Sequence, residues 1–317
     1  MSTRSRRTPL ARLPLLARLP VPARLRRKVF TAVLATSVVV PLAGSEVPAP
    51  APNRPPGGLT EARYAAVRQG ILAAERMAAG RGQARRAAAL RAMAEPGRRF
   101  LCFDGRAGGR SAEVFGDLAG AARVAVLVPG SDTGLDTYGR LRAGALALQR
   151  ELGDRAAVVA WLGYRTPSTL GAAVLTTGRA DEAVPGLQSL VRELGPARVS
   201  LLCHSYGAVV CGRAAAGLGD VANIVLYGGP GTGTSGPLRT PAPVWAARGT
   251  RDWIANVPHV QLRLPFLTLG LGLDPVSPSS GARVFAAGDG GHSDYLRPGS
   301  LFLRNVAAIV SGVAPDA

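Results

Sequence analysis

Leu201-Leu202-Cys203-His204-Ser205-Tyr206-Gly207 is the stretch that decides how the rest of this chain reads. An apolar run, Val199 to Cys203, leads into a serine two residues before a glycine. A helix-compatible run of small residues, Ala208 to Leu218, follows. This is the layout of a nucleophile elbow, G-x-S-x-G, in which a strand turns sharply into a helix and leaves the serine hydroxyl exposed at the tip. Cys203 stands where that pattern has its first glycine. A serine so placed needs a base to take its proton and an acid to orient the base.

Working outward, strands alternate with helices. Apolar strands are expected at Val124–Val128, Ala156–Trp161, Val199–Cys203, Asn223–Tyr227, Val244–Arg248 and Arg283–Ala287. An antiparallel pair, Arg99–Asp104 and Ala112–Asp117, precedes them across the Gly105–Gly109 turn. Helices are expected at Leu59–Ala94 (broken at Gly80–Gly82), Leu135–Leu152, Leu170–Leu194 (interrupted near Gly178 and Pro185), Tyr206–Leu218 and Leu301–Val313. Near-continuous apolar strands between helices imply an α/β class with a mostly parallel sheet covered on both faces. Ligand crevices of such sheets lie beyond the C-terminal ends of the strands. Ser131, Ser205, Asp252 and His292 each follow such an end, so topology alone brings four distant segments to one edge.

The chain has three histidines. His204 adjoins the serine, so its side chain is expected to point elsewhere. His292, in the glycine-rich loop Gly288 to Tyr295 after the last strand, is preferred as base over His259. Asp252, after the Val244–Arg248 strand, is preferred as acid, with Asp294 as a local alternative partner for His292. The order Ser205, Asp252, His292 is Ser…Asp…His. Backbone N–H groups of Tyr206, just after the serine, and of Ser131, in Pro129-Gly130-Ser131-Asp132-Thr133, are the candidate oxyanion donors. Trp161, Tyr164, Tyr206 and Trp253 are candidate walls of the cleft, with Trp161, Tyr164 and Trp253 as candidate substrate contacts.

These residues carry a resemblance. Val126-Leu127-Val128-Pro129-Gly130-Ser131-Asp132-Thr133, Trp161-Leu162-Gly163-Tyr164, His204-Ser205-Tyr206-Gly207, Gly228-Gly229-Pro230-Gly231 and Gly291-His292-Ser293-Asp294-Tyr295 resemble the α/β-hydrolase domain proteins of actinomycetes, many of unknown function. The resemblance extends over roughly residues 85–312. It implies an α/β-hydrolase fold, Ser205 as nucleophile, Asp252 as acid and His292 as base, and it names no substrate. Members generally carry glycine at the position of Cys203, where a Cβ is expected to crowd the turn.

The functional expectation is a serine hydrolase acting on an ester or acyl substrate. A non-catalytic binding or envelope protein of the same fold and an acyltransferase with the same triad are the alternatives. The connection from Tyr227 to Val244 is too short for a large lid, which implies an open cleft. The apolar stretch Val260 to Leu273 reads either as a flap over an acyl chain or as a segment packed on the core.

Composition bounds the partners. The formal charge is +18, but nine basic residues lie in Arg4–Lys28 and no acidic residue appears before Glu46. The remaining excess is scattered arginine without an aromatic-interleaved basic stripe, which argues against nucleic acid. Basic residues followed by the apolar run Val29 to Ala43 read as an export signal, with Arg26-Arg27 compatible with twin-arginine export. The run is short for a membrane span. Residues 1–44 are therefore expected to be a signal peptide or signal anchor, with possible membrane association through 29–43. Residues 45–58 read as a Pro-rich linker, 59–98 as an N-terminal helical segment and 99–317 as the α/β-hydrolase domain. Cys102, Cys203 and Cys211 are an odd set, and Cys203 and Cys211 read as unpaired core residues. No metal-ligand spacing occurs, so no metal or cofactor is expected.

Overall fold

The computed structural model describes residues 48–52, 57–195, 197–259, 261–263 and 268–316. The expected export signal and half of the linker lie outside the described residues. From residue 48 onward the described chain belongs to one compact unit.

Two helices open it, α1 (Glu61–Gly80) and α2 (Ala84–Met93). Thr60 caps α1 by accepting the N–H of Arg63 at 3.3 Å, and Gly82, at φ 69°, makes the break between the helices. The strands and helices then run β1 (Arg99–Asp104), β2 (Arg110–Phe115), β3 (Arg123–Val128), α3 (Gly139–Leu152), β4 (Ala157–Leu162), α4 (Gly178–Glu193), β5 (Arg198–His204), α5 (Tyr206–Ala214), β6 (Asn223–Tyr227), β7 (Val244–Ala247), the two-residue strands β8 (Leu262–Arg263), β9 (Thr268–Leu269) and β10 (Arg283–Val284), and α6 (Leu301–Ser311).

Eight strands form one sheet in the order β1-β2-β4-β3-β5-β6-β7-β10. The β1–β2 and β2–β4 pairs are antiparallel and the remainder are parallel. Alternation along β3 shows how both faces are filled. Val124, Val126 and Val128 enter the core under α4 and α5, and Ala125 and Leu127 the core under α3 and α6. The β1 edge is covered by α1, and Arg63 Nε donates to the Leu101 carbonyl at 2.8 Å, which blunts an otherwise open strand edge. Glu113 on β2 is 1% exposed and accepts two hydrogen bonds from Arg98, at 2.7 and 2.8 Å.

Three local expectations shift. The Leu135–Leu152 helix divides into a single tight turn at Leu135–Thr137 and α3 proper. The Leu170–Leu194 segment forms one tight helical turn at Ala172–Leu175, is interrupted before Gly178 as expected, and then runs through Pro185 without the second break. The last strand has ladder pairing at only two residues, although Phe285 N–H still donates to Ala246 O at 3.1 Å.

Candidate active site

The C-terminal end of β5 turns directly into α5 at Ser205, whose backbone lies at φ 54°, ψ −124°. That is a strained conformation for a residue with a Cβ. Glycine is required on either side of it. A Cβ on Gly207 would stand 2.4 Å from the Val128 carbonyl oxygen, and one on Gly130 would stand 2.4 Å from the Ser205 Cβ. The serine is thereby held at the junction of two strand ends, 8% exposed.

The structure corrects the cysteine reading. Cys203 and Cys211 are not unpaired: they form a disulfide, with Cα atoms 6.4 Å apart and both residues fully buried. The bond joins the end of β5 to α5 and encloses Ser205. Nor does the Cys203 Cβ crowd the turn. Among described residues other than glycine, positive φ occurs at Ala107, Asp132 and Ser205, so position 203 has no conformational need for glycine. The Cys203 side chain lies in the core under α5, where its bonding partner sits. An odd count hid this pairing, because it says nothing about which two cysteines the fold brings together. Cys102 is free.

His292 completes an unbroken chain of hydrogen bonds. Its Nε2 accepts from Ser205 Oγ at 3.0 Å, and its Nδ1–H donates to Asp252 Oδ1 at 3.0 Å and Oδ2 at 3.1 Å. Asp252 is 2% exposed and also accepts from the Ile254 N–H at 2.9 Å and the Tyr295 hydroxyl at 2.5 Å. Burial pushes the Asp252 carboxyl upward, but the bonds from His292, Tyr295 and Ile254 outweigh it and hold the group below the usual carboxylate range. Tyr295 is the residue that sequence reasoning left without a role. Its hydroxyl accepts from Gly249 N–H at 3.1 Å while donating to Asp252. Burial, then the neighbouring carboxylate, raise its pKa, so it stays a donor. Its only sequence signal is its place three residues after His292.

The two other histidines separate cleanly. His204 points away from the serine, as expected, but it is not idle: its Nε2–H donates to the backbone carbonyl of His292 at 2.8 Å. Burial, and the facing His292 ring 4.8 Å away, depress its pKa to about 3, so it is neutral. His259 Nδ1 donates to the Pro230 carbonyl at 2.8 Å and its Nε2 lies 3.4 Å from Asp274, away from Ser205. Asp294, the alternative partner for His292, instead accepts from Gly291 N–H at 2.9 Å.

The expected cleft walls divide. Trp253 is half-exposed, with its ring 5.0 Å from that of His292. Trp161 and Tyr164 are corrected: they are 3% and 2% exposed and belong to the core under α4. Trp161 lies on β4 with its side chain turned inward, where Gly163 and Gly186 leave room for the indole. Tyr164 donates its hydroxyl to the Pro129 carbonyl at 2.7 Å, which steadies the loop carrying Ser131 from below. The Tyr206 ring is likewise buried, its hydroxyl donating to Thr176 O at 2.6 Å. As the first residue of α5, Tyr206 has an N–H with no intrahelical acceptor. Ser131 follows Gly130, so both expected donor positions border the serine. Asp132, at φ 57°, anchors this loop to its neighbour: its N–H donates to Pro167 O at 3.0 Å and its carboxylate accepts from Thr169.

Of the Val260–Leu273 stretch, residues 260 and 264–267 lie outside the described residues. Its described end packs rather than flaps. Leu271 is 7% exposed, its carbonyl accepts from Gly233 N–H at 2.7 Å, and the Leu273 carbonyl accepts from Thr232 N–H at 3.1 Å. Among the described residues no cluster fit to hold a metal ion occurs.

A nucleophile elbow at the centre of a mostly parallel sheet, with acid and histidine loops following later strand ends, defines the alpha/beta hydrolase class. The pattern of that family matches residues 104–262, half of the chain, and the chain belongs to it. Among relatives, it is 28% identical over 187 residues to an uncharacterized protein of Mycobacterium tuberculosis (strain ATCC 25618 / H37Rv), covering 51% of this chain and 70% of the relative. A counterpart in Mycobacterium bovis matches to the same extent. Solved structures that resemble it include a Xanthomonas campestris serine hydrolase described as having no lid (TM-score 0.44, 18% identity, 69% of this chain and 94% of that one). Another is the esterase LipW of Mycobacterium marinum (TM-score 0.45, 17% identity, 77% and 88%).

Proposed function

We propose that this alpha/beta hydrolase is a serine hydrolase that cleaves an ester or acyl substrate through an acyl-enzyme on Ser205. The single observation that carries the reading is the continuous relay from Asp252 through His292 to Ser205, with bonds of 3.0 Å on both sides of the imidazole. As Ser205 Oγ attacks the substrate carbonyl carbon, its proton passes to His292 Nε2 and the carbonyl π pair moves onto oxygen. That oxyanion sits against the N–H groups of Ser131 and Tyr206. Collapse expels the alcohol, which takes the proton from His292, and Ser205 is left acylated. Water then attacks the acyl carbon, gives its proton to His292, and the acid leaves as Ser205 Oγ recovers it. Asp252 holds the Nδ1–H tautomer and stabilises the imidazolium.

Exposed apolar side chains support an acyl or lipid-like substrate. Leu170 and Leu175 lie in the loop after β4 and Trp253 in the loop after β7, at 98, 56 and 50% exposure. Large apolar side chains at that edge suit contact with a hydrocarbon chain. The disulfide across the elbow supports export, since such bonds persist in oxidising compartments. This agrees with the basic and apolar N-terminal sequence. A mature N-terminus retained at Met1 on cytoplasmic protein would reject export.

The catalytic reading is tested with a fluorophosphonate probe and short-chain p-nitrophenyl esters. We expect stoichiometric labelling of the folded protein at Ser205, lost in Ser205→Ala together with ester turnover. Equal turnover by the alanine variant would overturn it.

A further inference from the structure

A groove of ≈ 380 Å³ lies between α3 and the segment Ser293–Pro298, bordered by Pro129 and Thr133 of the loop after β3 and by the histidine loop. On the helix side it is lined by small residues of α3, Ala143, Gly144 and Ala147, and at Gly144 the two walls meet, since a Cβ there would stand 2.8 Å from Leu296 Cδ1. Its walls are apolar, from Leu141 and Leu146 on α3 and Leu296 and Pro298 opposite, and the His204 and His292 rings close its inner end. Ser205 is not among the lining residues. Three guanidinium groups, Arg140, Arg150 and Arg297, stand on the rim, and no aspartate or glutamate lines the groove. Their neighbour Arg142 turns inward to Glu113, whereas these three have no ion-pair partner among the described residues.

An apolar trough of this size, within the usual range of ligand sites of about 300–1,000 Å³, with cations at its mouth and no anion, is complementary to one chemical class. We propose that this groove is a second binding site, separate from Ser205, for a single-chain anionic amphiphile, a fatty carboxylate: the chain lies along α3 beside Leu296, and the carboxylate meets Arg140, Arg150 and Arg297. The groove and its charge stand on geometry alone. The choice of a carboxylate head rests on the proposed esterase reading, since that reaction releases such an acid.

The test uses dodecanoate and the Ser205→Ala protein, in which binding is read without turnover, by calorimetry or displacement of a fluorescent fatty acid. We expect saturable binding of dodecanoate, and at least about 10-fold weaker binding to the Arg140→Gln/Arg150→Gln/Arg297→Gln variant, as three partly exposed charge contacts contribute. Dodecanol should bind wild-type and variant alike. Ala143→Trp, at an exposed position, should block the groove without touching the core. Wild-type protein whose serine has been phosphonylated should still bind dodecanoate. Loss of binding on phosphonylation would place the acid in the active-site cleft and overturn a separate site. Indifference to the arginine changes, or to Ala143→Trp in a folded protein, would overturn the groove. Dodecyl phosphate binding far more tightly than dodecanoate would overturn the carboxylate assignment. Only the phosphonylation outcome needs a reactive Ser205; the binding outcomes with the arginine and Ala143 variants do not depend on whether Ser205 hydrolyses esters.

Discussion

The two halves of this site are held by different means. On the serine side the constraint is covalent and steric: a disulfide encloses Ser205, and Gly130 and Gly207 pack backbone against backbone around it. On the histidine side nothing covalent holds the loop. His292 is located by Asp252, by His204 bonding its carbonyl, and by Trp253 against its ring, while Tyr295 secures Asp252 in turn. The division suits the proposed chemistry. A nucleophile is best fixed in a strained conformation before substrate arrives, whereas the imidazole must exchange a proton with two partners and benefits from a polar cradle that responds to its charge.

The bluntest way to break the comparison is to remove either half outright. Ser205→Ala and His292→Ala are each expected to lower kcat by about 10⁶-fold, and the double variant little further, because the two act as one unit. Steady-state kinetics on a p-nitrophenyl ester would show it. Asp252→Asn should cost about 10⁴-fold by favouring the wrong tautomer.

Acid should attack the histidine side. Unfolded His204 takes up a proton near 6.5, the folded one only near 3. Between those values the unfolded chain binds more protons, so folding stability falls as pH drops, by up to about 1.4 kcal/mol per unit from this group. Denaturant titrations from pH 7 to 4 should show a shallower slope for His204→Gln, which keeps a neutral donor for the His292 carbonyl. An unchanged slope would remove His204 from the account.

Reducing agent should attack the serine side. Opening the short loop closed by Cys203 and Cys211, by Cys211→Ala or by dithiothreitol on partly unfolded protein, is expected to cost about 2–3 kcal/mol of stability. The buried bond should resist reduction in the native state. Cys203→Gly/Cys211→Ala, which restores the glycine of the elbow pattern, sharpens the point. We expect kcat within a few-fold of wild type well below the melting temperature, so that the staple is read in Tm rather than in chemistry.

The smallest expected effect is Tyr295→Phe. Deleting one hydrogen bond to the buried Asp252 carboxylate is worth about 1.5–3 kcal/mol, read as roughly a 10-fold fall in kcat with KM little changed. An upward shift of the acid limb of the kcat/KM profile would mark positioning of the Asp252–His292 pair rather than general destabilisation.

Much of this arrangement was legible before any coordinates. The strand order of Ser205, Asp252 and His292, the turn character of Pro129-Gly130 and the helix after the elbow follow from apolar runs ending in small or polar residues. Parallel strands must deliver their C-terminal ends to one edge. Less legible were the features that depend on which way a side chain faces. Trp161 and Tyr164 sit beside strand ends in sequence and read as cleft walls, yet one turns under α4 and the other hydrogen-bonds the Pro129 carbonyl. Tyr295 and His204 act on His292 through partners 43 and 88 residues away, a coupling no local pattern carries.

The sequence by itself determined the alternation of elements, the family, and the four segments that could supply chemistry, because periodicity and turn residues are local properties. Tertiary structure alone decided that Cys203 meets Cys211 instead of crowding the elbow, that Tyr295 and His204 brace the Asp252–His292 pair, and that α3 and the Ser293–Pro298 segment leave an arginine-rimmed groove. Each of these depends on distances between side chains brought together only when the sheet and its two helical layers close.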